Sequence, residues 1–300
     1  MCLYYYQHTV AKPVRCAGVG MHSGKTVNLT IRPAPVNHGI RFIRTDLADT
    51  PSVAAHFNMV VDTSLATVIG YDGFIVSTIE HLMAAFSGLG IDNAVVELDS
   101  HEMPIMDGSA SPFVDAIRPV GIQEQDSPRY YFSVKEPIAL QDGEKSLTIY
   151  PHHSFQVTCA IEYDHPLIKH QQLSMDLSTD SFPDDVSAAR TFGFIHEYEY
   201  LKRYGFAKGG SLDNVIVLDQ TGILNENGLR YPDEFVRHKI LDCIGDLYLL
   251  GMPILGHVVA NKSGHALNNA FLKEIFSRKQ SWETRSLQDE IQLKAKALAI

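Results

Sequence analysis

His238, Asp242 and Asp246 recur at four-residue steps within Asp233 to Leu250. If that stretch is helical, the three lie on one line of its surface. An imidazole and a carboxylate one turn apart can grip a single metal ion. Far upstream, His81 follows Glu80, and a His-Glu neighbour pair can supply a zinc ligand beside a general base. His81, His238 and Asp242 together would leave a fourth zinc position open, which is the pattern of a catalytic site. Zinc makes hydroxide available near neutral pH, and Glu80 could take the proton that water gives up. An amine leaving group needs an acid, for which His265 is the candidate, with Asp246 placed to orient it and hold its charge. Lys239 and Lys262 are local cations near these positions. Singly, each residue also fits an ordinary duty. A His-x-x-x-Asp pair suits a solvated helix face, and Ser77-x-x-Glu80 fits a capping box in which Glu80 only reaches back to a backbone N–H.

The elements that must position these groups are readable in part. Asp233 to Leu250 carries Val236, Ile240, Cys243, Ile244 and Leu247 at helical steps, with a start signal at Pro232-Asp233 and a stop at Gly251 and Pro253. A second helix is expected from Ser77 to Gly88, fed by the short strand Phe74-Ile-Val. Each helix ends at glycine, enters an apolar strand (Ala94 to Leu98, Ile254 to Ala260) and passes through a loop into another helix. The pattern therefore repeats although sequence identity between the halves is slight. It predicts an α+β fold of two similar domains, each with a β-sheet and helices. Helices packed between the two sheets would bring His81 and His238 to one interface. The polar run Gln123 to Arg129 is read as the linker, giving domains at 1–127 and 128–300. Gln7 to Ala17 is read as one strand, and Trp282 to Ile300 as a charged, partly helical tail. The glycine-rich turn Gly18 to Gly24 lacks the Lys-Ser/Thr of a phosphate loop. Residues 190–218 have no counterpart in the first half, and their aromatic character suits either a satellite core or a wall for a greasy ligand.

With 300 residues and a formal charge of −10, a basic nucleic-acid surface is excluded, whereas a small anionic ligand held by a few cations is not. No apolar run approaches the ~18 residues of a membrane span. The start Met1-Cys-Leu-Tyr-Tyr-Tyr has no secretory pattern, and the four cysteines form no Cys-x-x-Cys pair. A cytoplasmic setting with reduced thiols is expected, and no obligate protein partner is evident.

Several motifs occur in order: Gly18-Val-Gly-x-His22-Ser-Gly, Asp62-Thr-Ser-Leu-Ala-Thr67, Thr78-Ile-Glu-His-Leu-Met-Ala-Ala85 and Pro104-Ile-Met-Asp-Gly-Ser-Ala110. Ala189-Arg-Thr-Phe-Gly-Phe194, Gly209-Gly-Ser-Leu-Asp-Asn214, His238-Lys-x-x-Asp-x-x-Gly-Asp246 and Lys262-Ser-Gly-His265 complete them. From about Gln7 to about Ser277 the chain resembles the UDP-3-O-acyl-N-acetylglucosamine deacetylase family, zinc amidases of lipid A biosynthesis in Gram-negative bacteria. The resemblance implies one catalytic Zn2+ on His81, His238 and Asp242, Glu80 as base, and His265 as acid held by Asp246. It implies Thr191 and Lys239 near the oxyanion and substrate, with a lipid-bearing UDP-sugar as the small-molecule substrate. The resemblance also implies a small insert in each domain, the second of which, residues 190–218, would shape an acyl passage with Phe192, Phe194, Ile195, Tyr198 and Ala207 on its wall. Lys262 is expected at the substrate, and Tyr163 matches a segment near the uridine loosely. Two other readings compete: a non-haem Fe(II) oxygenase site, which leaves Glu80, Thr191 and His265 without roles, and a non-enzymatic module stabilised by metal.

Overall fold

The computed structural model describes residues 4–177 and 181–288. Thr26–Pro33 buries Val27, Leu29 and Ile31 on one face and turns Asn28 outward, the alternation of a half-covered strand. It sits in a five-stranded sheet ordered Val14–Val19, Thr26–Pro33, Ala94–Leu98, Ile40–Arg44, Ser52–Ala54. A seven-stranded sheet is built from strands between Tyr130 and Ser286. At its middle Ile254–Asn261 pairs antiparallel with Lys145–Tyr150 and parallel with Phe155–Tyr163.

Six α-helices occur among the described residues: α1 (Glu80–Leu89), α2 (Ser111–Ile117), α3 (Ser181–Asp185), α4 (Ile195–Arg203), α5 (Glu234–Leu247) and α6 (His265–Ser277). α2 packs on α1 and on Val14–Val19, while α5 lies against Phe155–Tyr163 and Lys169–Leu177, and α6 against Ile138–Asp142 and Lys145–Tyr150. α1 meets α5 between the two sheets. The fold is α+β as expected, with helices in the middle layer. A small three-stranded sheet (Val60–Asp62, Val68–Tyr71, Phe74–Val76) and the parallel pair Phe192–Phe194 with Ile216–Leu218 are the two inserts.

The α1–α5 contact is close because residue 245 is glycine. A Cβ there would lie 2.0 Å from the Glu80 carbonyl oxygen, so any larger residue would push the two helices apart. α1 stops at Gly90 (φ 72°) and the turn after α5 stops at Gly251 (φ 86°), both left-handed.

Three local readings need correction. Gln7 to Ala17 is two strands, Tyr6–Val10 and Val14–Val19, interrupted ahead of Pro13. The run Gln123 to Arg129 lies almost wholly in a strand, Ile122–Pro128, which pairs antiparallel with Tyr6–Val10. Its residues are mostly exposed, so it shows no hydrophobic alternation and its order comes from a partner over a hundred residues away. Trp282–Ser286 is a strand paired with Tyr130–Val134, not the start of a helical tail. The rest of that predicted tail beyond residue 288 lies outside the described residues, as does Cys2.

Candidate metal centre

The polar line of α5 is not a solvated face: His238, Asp242 and Asp246 are each at most 3% exposed. Opposite them α1 presents Glu80 and His81, also buried. Ligand atoms of His81, His238 and Asp242 lie within 4.8 Å of one another. Asp242 Oδ1 is 3.3 Å from His238 Nε2 and 3.8 Å from His81 Nε2. Two ligands each about 2 Å from one ion sit up to ~4 Å apart, so the separations of 3.3 and 3.8 Å from Asp242 to the two imidazoles suit a single centre.

The protonation states fit as well. Burial pushes the His81 pKa down to about 3, helped by His238 beside it, and burial lowers that of His238. Both imidazoles are therefore neutral at pH 7, as ligands must be. Burial opposes ionisation of Asp242, but His238 and Lys239 outweigh it and hold the carboxyl well below its usual range. His238 Nδ1–H donates to the Ala189 carbonyl over 3.0 Å. That bond fixes the tautomer and leaves Nε2 free to ligate.

Around this centre stands a second set of groups. His265 Nδ1 donates to Asp246 Oδ2 at 2.8 Å, and Asn268 Nδ2 donates to the same oxygen at 2.8 Å. Thr67 Oγ1 donates to Asp246 Oδ1, and the Thr67 backbone N–H donates to Glu80 Oε2 at 3.1 Å. Glu80 Oε1 lies 3.9 Å from His265 Nε2. Burial pushes the Glu80 pKa up to about 7, against the pull of His265. Burial alone would lower His265, but the Asp246 carboxylate outweighs it and raises the imidazole to about 10. A carboxyl and an imidazole, both raised and 3.9 Å apart, are an arrangement with the chemistry to take up and give up protons.

The capping-box reading of Ser77-x-x-Glu80 fails. The helix is capped at Ile79 with no side-chain bond, and Glu80 is its first residue. Thr78 holds φ 61°, a left-handed turn costly for a β-branched residue, and it delivers Glu80 to the cleft instead of folding it back.

His81, His238, Asp242, Glu80 and His265 all line a cleft of about 520 Å³, joined by Thr191 and Lys239. Lys239 Nζ bonds Asp242 Oδ2 at 2.8 Å and sits 5.7 Å from the Phe192 ring centre. Phe192, Phe194, Ile195, Tyr198 and Ala207 form an apolar wall of the same cleft, which Leu201, Val215 and Leu224 extend. Lys262 stands apart from it, with its ammonium between Glu162 and Glu144. Tyr163 does not line the cleft either; its ring meets Phe192 edge-on at 5.6 Å.

The two glycine motifs explain how the wall is held. Gly209 N–H donates to the Met21 carbonyl at 3.1 Å. A Cβ on Gly209 would come within 2.2 Å of the Gly20 carbonyl oxygen. The buried Glu102 carboxylate accepts from the His22 and Ser23 amides at 2.7 and 2.8 Å, which fixes the Gly18–Gly24 turn. At the other end, Arg190 bonds buried Glu234 at 2.8 Å, tying the insert to the start of α5 beside Thr191. Thr67, Asn268 and the Ala189 carbonyl escaped the sequence reading. Thr67 and Ala189 lie within quoted motifs, but nothing local marks them as partners of a histidine or a carboxylate.

A family model for UDP-3-O-acyl N-acetylglycosamine deacetylase matches residues 7–277. A UDP-3-O-acyl-N-acetylglucosamine deacetylase of Teredinibacter turnerae is 50% identical over 286 residues, 95% of this chain and 94% of that protein. One of Myxococcus xanthus is 50% identical over 279 residues, 93% of this chain and 89% of that protein. A third, of Syntrophus aciditrophicus, is 46% identical over 282 residues, 94% and 90% of the two chains.

Proposed function

This chain belongs to the UDP-3-O-acyl N-acetylglycosamine deacetylase family, and we propose that it hydrolyses the N-acetyl group of UDP-3-O-(3-hydroxyacyl)-N-acetylglucosamine. The products are acetate and the free amine, and the step commits its substrate to lipid A. The observation that carries this reading is one cleft holding three convergent ligands, a raised carboxyl, a raised imidazole and an apolar wall.

His81, His238 and Asp242 hold one zinc ion in this proposal. Two neutral imidazoles and a carboxylate suit zinc and leave a position for catalysis. When bound, the ion supplies Lewis-acid activation of water at neutral pH. Glu80 accepts the proton of the attacking water on Oε1, the oxygen that faces His265. As the water oxygen bonds the acetyl carbon, Thr191 and the Lys239 ammonium, which Asp242 keeps cationic against burial, meet the developing oxyanion. His265, charged at pH 7 and held by Asp246, gives its Nε2 proton to the departing nitrogen as the C–N bond breaks. Glu80 and His265 thus exchange protons with substrate and water from opposite sides of one gap.

The division at 127/128 belongs to the same proposal and is supported by the two separate sheets, with Glu80 and His81 on one side and His238, Asp242 and His265 on the other. A cytoplasmic setting is proposed too, supported by Cys16, Cys159 and Cys243 being free thiols. No helix among the described residues is long and apolar enough to cross a membrane.

The 3-O-acyl chain is assigned to the wall of Phe192, Phe194, Ile195, Tyr198 and Ala207. Ten buried methylenes offer ~0.8 kcal/mol each. If about a third of that survives chain ordering and partial burial, the acyl group contributes roughly 3 kcal/mol, or about 10²-fold in kcat/KM. The acylated sugar nucleotide should therefore outrun its 3-hydroxy parent by that factor on one enzyme preparation. Equal kcat/KM for the two would mean that the insert merely packs against the body of the protein.

A further inference from the structure

The motif Asp62-Thr-Ser-Leu-Ala-Thr67 has no part in the chemistry above, yet it ends on the residue that touches both proton-transfer partners. The Asp62 carboxylate accepts from the amides of Thr63 and Ser64 at 2.8 and 3.1 Å and from the Ser64 hydroxyl at 2.7 Å. That turn carries Ser64, Leu65 and Ala66 along the cleft and brings in Thr67, which is 2% exposed.

Thr67 bonds two carboxylates there, and its hydroxyl oxygen also lies 3.4 Å from His265 Nδ1. Its amide donates to Glu80 Oε2, and its hydroxyl donates to Asp246 Oδ1, across 13 and 179 residues of sequence respectively. Oε2 of Glu80 is thereby occupied, and Oε1 is the oxygen left facing His265. On Asp246, the Thr67 hydroxyl fills Oδ1, so that Oδ2 serves His265 and Asn268. Among the described residues only Thr67 hydrogen-bonds both carboxylates; His265 bonds Asp246 and stands 3.9 Å from Glu80. We propose that Thr67 is a positioning residue that sets the relative register of Glu80 and His265, one through its amide and the other through Asp246. The inference rests on the roles given to those two residues above.

The hydroxyl can be removed without disturbing the amide. In Thr67→Val the isosteric side chain keeps its volume, and Asp246 Oδ1 loses its donor; in Thr67→Ser the donor stays. An Asp246 relieved of one donor is a stronger acceptor for His265 Nδ1–H, which strengthens that bond and makes the imidazolium a weaker acid. Two readouts are taken on zinc-loaded protein. In steady-state kinetics with the acylated UDP-sugar, Thr67→Val should lower kcat by roughly 10- to 100-fold with KM and zinc content within about twofold. Thr67→Ser should recover kcat to within about threefold. In proton NMR, the His265 Nδ1–H resonance should move downfield in Thr67→Val and stay in place in Thr67→Ser. Wild-type kcat and an unmoved resonance in Thr67→Val would overturn the proposal. So would an equal loss in both variants, or a loss that tracks zinc content, because each marks a packing role. If the wild-type protein releases no acetate, the assigned function has failed, and the resonance alone still decides whether Thr67 governs Asp246 and His265.

Discussion

His238→Ala should cost the protein its bound metal and its activity together. Three donors converge among the described residues, and each is fixed from behind: His238 by the Ala189 carbonyl, Asp242 by Lys239, and His81 by the packing of α1 on α5. With one donor gone, the remaining imidazole and carboxylate make a weak chelate. The Asp242 anion would then be answered mainly by the Lys239 ammonium, 2.8 Å away. Neither imidazole is protonated at neutral pH, so metal binding displaces no proton from them, and the loss should persist from pH 6 to 8. Zinc analysis and kcat on the same folded preparation check this. A folded, active His238→Ala protein with a full equivalent of zinc would remove the site assignment.

Glu80→Gln should keep the metal and lower kcat by about 10²- to 10⁴-fold, the usual cost of a missing general base. Its effects on pH dependence and stability follow from one cause. The carboxyl is raised from 4.5 to about 7, and the working form is the anion. Activity therefore rises with pH through the Glu80 value and falls again through that of His265. A bound cation favours the deprotonated forms and draws both limbs lower than the values of about 7 and about 10. In Glu80→Gln the rising limb should vanish. The falling limb should remain and shift to lower pH, because the Glu80 charge helps to raise His265.

For stability the sign is equally definite. A carboxyl whose folded pKa exceeds its unfolded one is favoured in its protonated form, and that advantage is lost as pH rises through about 7. The neutral amide avoids this cost and can still accept from the Thr67 amide. In metal-free protein at pH 8, Glu80→Gln should thus melt no lower than wild type. A cap residue would behave differently, losing about 1 kcal/mol of stability with kcat nearly intact.

The α5 helix was legible because its signals are local: apolar residues at helical steps, a start near Asp233 and a glycine stop. The convergence of His81 and His238 was legible only as a consequence of two like halves meeting, and Gly245 gives it a physical basis, since its missing Cβ is what lets α5 reach Glu80. What escaped was set by distant partners. Ile122–Pro128 is polar and mostly exposed, so only its pairing with Tyr6–Val10 reveals a strand. Ser77-x-x-Glu80 has the letters of a capping box, but the left-handed Thr78 turns Glu80 into the cleft. Thr67 has no chemical signature in sequence, because its meaning lies in Asp246, 179 positions away. Lys262 has the right charge, yet it is absent from the cleft lining and its ammonium pairs with the exposed Glu144 and Glu162.

The most direct test of the central claim is reconstitution of the stripped enzyme. Chelated, metal-free protein is given zinc in steps, and acetate release from UDP-3-O-(3-hydroxyacyl)-N-acetylglucosamine is measured at each step. With His81, His238 and Asp242 as the zinc site, release should be absent without metal and rise in proportion to zinc up to a single equivalent per chain. Full acetate release by the metal-free protein, or none at one equivalent of zinc, would contradict it.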